Sequence, residues 1–190
     1  WFECMEISEK HNVLALSSNY TLYADISNRV MNILREYSPI CQVYSIDECF
    51  IDLTGISKVR EVSYQIRERI MKWTGIPVCV GIGPTKTLSK LANFIAKKHP
   101  RSKGVFNYND LNEVQQQKIL SQIPVSKVWG IGSKLSIQLK KYYINTVEDL
   151  KKAHIPTLRK SFGVTMEKTQ RELQEVACFE LEDIFICKKQ

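Results

Sequence analysis

Between Tyr20 and Tyr37 the apolar side chains fall at Tyr23, Ile26, Val30, Ile33, Leu34 and Tyr37, the spacing of an amphipathic helix, and Pro39 ends it. Two short apolar runs follow, Cys41–Ile46 and Cys49–Leu53, with Asp47 and Glu48 between them; this pattern predicts a tight hairpin closed by Thr54-Gly55. Val59, Val62, Ile66 and Ile70 mark one face of a second helix over about 57–73, stopped by Gly75 and Pro77. Val78–Ile82 is apolar enough for a buried strand. Gly83-Pro84 then opens a third helix reaching about Lys98, with Pro84 at a tolerated first position and Thr85 and Thr87 in the first turn. Gly104-Val105-Phe106 reads as a further strand. Upstream, residues 1–18 read as a short helix end followed by a strand at Val13–Leu16.

This order of helices and strands predicts an α+β fold: a mostly antiparallel sheet with helices on one face. Residues 110–176 carry only helical periodicity, broken at Pro124, at Gly130-Ile131-Gly132, near Asn145 and at Pro156, so a small all-helical unit follows. Residues 177–190, ending Ile184-Phe185-Ile186-Cys187-Lys188-Lys189-Gln190, read as a tether.

Composition narrows the partners. The chain has 190 residues, 44% of them hydrophobic, enough for one sizeable core or two small ones. No window has the length of a membrane span, and the start is not a signal peptide. Because position 1 is Trp rather than Met, the chain is expected to be an internal piece of a longer protein. The net charge is +7. No acid occurs between Glu68 and Asp110, whereas Arg69, Lys72, Lys86, Lys90, Lys97, Lys98, Arg101 and Lys103 all lie there. A one-signed stretch suits phosphate ligands, although a solvated helix face produces the same pattern. The six cysteines show neither close pairing nor metal-ligand spacing, which favours reduced thiols and a cytoplasmic location. His11, His99 and His154 are scattered, against a zinc site.

Three constellations carry candidate chemistry. The first is Tyr44-Ser45-Ile46-Asp47-Glu48-Cys49-Phe50-Ile51-Asp52. Adjacent carboxylates at a hairpin tip repel unless a cation sits there. Magnesium takes a few carboxylate oxygens and completes its shell with water and phosphate, and two such ions about 3.5–4 Å apart can activate a 3′-hydroxyl and stabilise departing pyrophosphate. Ordinary polar turn residues are the plainer alternative. The second is Gly83-Pro84-Thr85-Lys86-Thr87-Leu88-Ser89-Lys90, a glycine-flanked helix start whose amides and dipole suit a phosphate. Lys86, Lys90, Asn93 and Lys97 share one helix face there as a cationic stripe, with solvent-facing lysines as the alternative. It is not a Walker loop. The third is Val128-Trp129-Gly130-Ile131-Gly132-Ser133-Lys134-Leu135, two glycines around one apolar residue between helical stretches. That is a helix-hairpin-helix signature whose turn can hold a DNA phosphate without reading bases, with Lys134, Lys140 and Lys141 nearby. A plain connector is the alternative.

Together with Ser18-Asn19-Tyr20, Tyr23-Ala24-Asp25, Gly81-Ile82-Gly83 and Lys90-Leu91-Ala92-Asn93, these motifs resemble the UmuC branch of the Y-family translesion DNA polymerases over almost the whole chain. The resemblance implies a remnant of fingers over 1–18, a palm over 19–108, a helix-hairpin-helix thumb over 109–176, and at 177–190 a linker toward a little-finger domain. It implies catalytic metal ligands at Asp47 and Glu48, a triphosphate contact at Lys90, and DNA contacts at Gly130, Ile131, Gly132 and Lys134. It further implies Mg2+ as cofactor, primer–template DNA and a deoxynucleoside triphosphate as substrates, a place in the SOS response, and UmuD′-like subunits, RecA and the sliding clamp as partners. The family's first metal-binding Asp, most of the fingers and the little finger have no counterpart here, so these residues alone are expected to be inactive. Two rivals stand beside this reading: a non-catalytic helix-hairpin-helix DNA-binding module, and a nucleotide cyclase, which has no use for the Gly130–Gly132 turn.

Overall fold

Helix-forming and strand-forming stretches take the predicted order, with shifted ends, in the computed structural model, which describes residues 2–181. After the short α1 (Met5–Lys10), α2 spans Tyr20–Arg35; its first turn is capped by the Asn19 side chain, which accepts from the Leu22 amide at 3.0 Å. The hairpin is β1 (Cys41–Ser45) and β2 (Glu48–Ile51). Helix α3 (Val59–Thr74) ends where Gly75 turns left-handed at φ 72°, a conformation cheap only for glycine. Strand β3 (Val80–Ile82), helix α4 (Lys86–Lys98) and strand β4 (Val105–Asn107) complete this half. The rest holds α5 (Glu113–Leu120), α6 (Ser133–Lys140), α7 (Val147–Lys152), α8 (Ile155–Phe162) and α9 (Val164–Leu173).

Several expectations change. The fold is mixed α and β, but among the described residues the strands form two separate pairs: β1–β2 antiparallel and β3–β4 parallel. The mostly antiparallel sheet is therefore not what forms. The reason lies in α4, a crossover helix returning the chain to the same end of the pair, which dictates a parallel neighbour. Val13–Leu16 is not a strand; Leu14 and Leu16 are 80% and 79% exposed, and without a pairing partner an apolar run has no ladder to join. Pro84 lies outside α4, and Thr85 is its N-cap, its side chain accepting from the Leu88 amide. The expected break at Pro156 is present: α7 ends at Lys152 and α8 opens at Ile155 with Pro156 in its first turn.

Two apolar clusters hold the elements. Ile33, Ile66 and Ile70 pack between α2 and α3. The larger cluster runs from Leu88, Leu91 and Ile95 on α4 through Leu120, Leu139 and Leu150 to Leu173. Side chains of this kind each contribute about 1.5–3 kcal/mol when fully buried. Close packing of α4 on β3 requires glycine: a Cβ on Gly81 would overlap the Asn93 amide nitrogen and the Ser89 carbonyl. That contact sets the height at which Lys86 and Lys90 cross the hairpin. Of the expected linker, residues 182–190 lie outside the described residues. Residues 177–181 are no free tether, because the Cys178 and Phe179 amides donate to Glu172 and Phe179 packs on Trp129.

Candidate active site

The hairpin turns through Ile46-Asp47, so Glu48 opens β2 and Asp47 stands at the tip. The register slips between Val43 and Ser45, leaving Tyr44 as an extra, unpaired residue of β1. Bulges of this kind twist a strand locally and re-aim one side chain. Asp47 is exposed, and its Oδ1 accepts from the Ser45 hydroxyl at 2.6 Å. Glu48 Oε1 lies 2.5 Å from the Lys90 ammonium; the two side chains are 29% and 20% exposed, so the pair is sheltered yet open on one side. The Lys90 ammonium also lies 5.0 Å from the centre of the Tyr44 ring.

The lysines of α4 do not make a solvated stripe. Lys86 is buried, donates to the Gln42 side chain and the Glu180 carbonyl, and sits over the Phe50 ring. Lys90 is committed to Glu48, and of the stripe only Lys97 is exposed. The predicted open helix start at Gly83–Lys90 is occupied as well. Buried Glu172, on α9, accepts from the Thr87 amide at 2.8 Å and from its hydroxyl at 2.6 Å. A carboxylate thus already fills the place where a phosphate was expected, satisfying the orphan amides and the helix dipole. Sequence offered no signal for it, since the partners are separated by 85 positions.

The Gly130–Gly132 turn differs. Gly130 takes φ 82°, with nothing near the place a Cβ would occupy, while Ile131 is buried. Among the described residues no side chain caps α6, so its first amides are uncapped, beside exposed Lys134. Before the turn stands a three-residue 3-10 turn, Val125–Lys127, in place of the first α-helix of the expected helix-hairpin-helix. Trp129 reaches back to the hairpin: its indole N–H donates to the Tyr44 hydroxyl at 3.0 Å, and its ring packs on Tyr44, Phe50 and Phe179. None of these aromatic contacts was anticipated.

Asp47 and Glu48 are hard oxygen donors of the kind magnesium takes, and Asp47 is open to solvent. Asp52, the third acid of this stretch, is engaged by the Thr54 hydroxyl and amide, which hold its carboxyl below the ordinary range. No group of three or more His, Cys, Asp or Glu is placed to hold a metal among the described residues. The pair fits part of a magnesium shell, not a whole one.

The hairpin also brings together two cysteines separated in sequence: the Cys41 and Cys49 sulfurs lie 3.1 Å apart, hydrogen-bonded and not joined by a disulfide. The hydrogen bond with Cys41, and then burial, push the Cys49 thiol far up. Elsewhere, a cavity of about 560 Å³ opens at the far end of α4, lined by Tyr64, Phe94, Lys98, Arg101 and Phe106 among others; it includes neither Asp47 nor Glu48. No helix of the described residues is long and apolar enough to cross a membrane.

Residues 1–93 match the model of the impB/mucB/samB family. The chain is 42% identical over 194 aligned residues to Protein UmuC of Salmonella typhimurium, covering all of this chain and 46% of that protein. It is 35% identical to DNA polymerase IV 2 of Bacillus subtilis over 75% of this chain and 34% of that one. Among solved structures, DinB from Sulfolobus solfataricus superposes with a TM-score of 0.70 at 25% identity, covering 90% of this chain and 49% of that one. The chain therefore spans about half the length of the curated relatives it matches. By sequence it is UmuC-like over its whole length, and its residues 1–93 match the impB/mucB/samB family.

Proposed function

We propose that these residues are the palm (19–108) and thumb (109–176) of a translesion DNA polymerase, preceded by a remnant of the fingers, and that the whole protein extends primers with deoxynucleoside triphosphates. The observation that carries this reading is the 2.5 Å contact between Glu48, beside Asp47 at the hairpin tip, and Lys90 on the neighbouring helix. An acid pair and a cation side by side match the two halves of a metal-bound triphosphate. Asp47 and Glu48 would hold Mg2+ with ligands from outside these residues. When bound, the ion neutralises phosphate charge and lowers the barrier to attack by a 3′-hydroxyl. Lys90, now held by Glu48, would turn its ammonium to the triphosphate, orienting it and offsetting its charge. The uncapped amides after Gly130 and the Lys134 ammonium would hold one duplex phosphate, fixing position without reading sequence.

The test is primer extension by the complete polymerase. Asp47→Ala and Glu48→Ala should each lower incorporation by at least about 100-fold, the scale on which removed charge-stabilising groups act. Lys90→Ala should mainly raise the KM for the nucleotide. Undiminished synthesis by both carboxylate variants would overturn the assignment. Duplex binding that survives with no dependence on magnesium or on either acid would favour the non-catalytic DNA-binding module instead.

A further inference from the structure

We infer that Trp129 is a positioning residue that latches the 130–132 turn to the hairpin bearing Asp47 and Glu48, so that duplex binding and nucleotide binding favour each other. This rests on the polymerase reading above. Trp129 directly precedes Gly130, whose left-handed backbone starts the turn. Its indole N–H donates to the Tyr44 hydroxyl at 3.0 Å, and the two rings meet edge to face with centroids 5.3 Å apart. Tyr44 is the bulged residue of β1, so the strand presents it there because its register slips. On the Tyr44 ring lies the ammonium of Lys90, 5.0 Å from the centroid, and the same ammonium holds Glu48 at 2.5 Å. A short chain of contacts therefore runs from the phosphate-holding turn to the acid pair: Trp129, Tyr44, Lys90, Glu48.

The chemistry makes this chain directional. Indole is donor-only at nitrogen, and the tyrosine hydroxyl can accept. Phenylalanine at position 129 keeps an aromatic face against Tyr44 and Phe50 but removes the donor. Tyr44 is 50% exposed, so the joint lies at the surface and can reorganise without unpacking the core. If Lys90 leaves Glu48 for a triphosphate, its place over Tyr44 changes, and the ring that fixes Trp129 changes with it. A duplex seated on the 130–132 turn fixes Trp129 from the other end. By linkage, the two binding events must then alter each other's affinity by the same factor.

The experiment uses the complete polymerase, magnesium, a primer ending in a dideoxynucleotide and the next correct nucleotide, with primer–template Kd measured with and without that nucleotide. In the native enzyme the nucleotide should tighten duplex binding about tenfold, within the usual range for coupled sites. Trp129→Phe and Tyr44→Phe should each reduce that tightening to within about twofold, and the double variant should go no further, because both remove one bond. Should W129F fail to fold, Y44F removes the same bond from the other side. Coupling that stays native in the variants, losses that multiply in the double variant, or a native enzyme that polymerises without any coupling would each overturn the latch alone. A native protein whose incorporation ignores Asp47→Ala and Glu48→Ala would instead bring down the polymerase reading and the latch together.

Discussion

The carboxylate of Glu172 caps helix α4 from across the core: its Oε2 accepts from the Thr87 amide at 2.8 Å and from the Thr87 hydroxyl at 2.6 Å. Its Oε1 accepts from the amides of Cys178 and Phe179 at 3.2 and 3.0 Å, and the side chain is fully buried. One acid thus ties together α9, the start of α4 and the segment after α9, just below Lys86 and Lys90.

Glu172→Ala should therefore cost far more than an exposed acid would. It leaves buried donors without an acceptor, and hydrogen bonds to charged groups contribute about 1.5–3 kcal/mol each. A loss of about 3 kcal/mol or more is expected from urea unfolding. A loss below about 1 kcal/mol would mean that the cap is dispensable.

Tyr108 points to the opposite outcome. It is fully buried, and its hydroxyl has no hydrogen-bond partner among the described residues. Burial, followed by the carboxylates of Glu175 and Glu148, pushes the phenol up. An unpartnered buried polar group costs about 1–3 kcal/mol, so Tyr108→Phe should stabilise. At about 1 kcal/mol this is a rise of roughly 2–4 °C in Tm for a chain of this size. A fall in Tm on calorimetry would show that the hydroxyl is needed.

Asp149 supplies a pH signature. It closes a capping box at the start of α7, accepting from the Thr146 amide at 2.9 Å and the Asn145 amide at 3.0 Å, while the Thr146 side chain accepts from its own amide. Burial pushes its carboxyl up, but the Thr146 and Asn145 amides, the Thr146 hydroxyl and Lys152 outweigh it, and the net direction is below the ordinary 3.8. The folded protein thus binds this proton less readily than the unfolded chain. The stabilisation is complete above the unfolded value and disappears as pH falls through the lower folded one. Asp149→Asn should cost about 1 kcal/mol at neutral pH, and the gap from native should close in acid. A gap independent of pH down to the acid transition would refute this origin.

Much of the fold was legible because it depends on neighbours in sequence. Ile66 and Ile70 repeat at helical spacing and Gly75 supplies a left-handed stop, so α3 was readable within a residue or two. Asp47 and Glu48 stood between two apolar runs, so the hairpin and its acidic tip were readable too. Val13–Leu16 failed for a different reason: alternation and apolarity make a strand only when another strand offers its hydrogen bonds, and none does among the described residues. The start of α4 failed likewise, because glycine, proline and threonine announce a helix end but not which group will satisfy it.

The sequence by itself determined the local grammar of this protein: which stretches coil, where they stop, and that two acids, a lysine helix and a glycine turn follow one another in a polymerase-like order. Tertiary structure alone decided what meets what. It set Lys90 against Glu48, gave the α4 amides to Glu172, paired β3 with β4 in parallel and laid Trp129 on Tyr44. The reason is physical: periodicity and capping act over a few residues along the chain. Burial, hydrogen-bond satisfaction and ion pairing are settled between surfaces that come together only when the core closes.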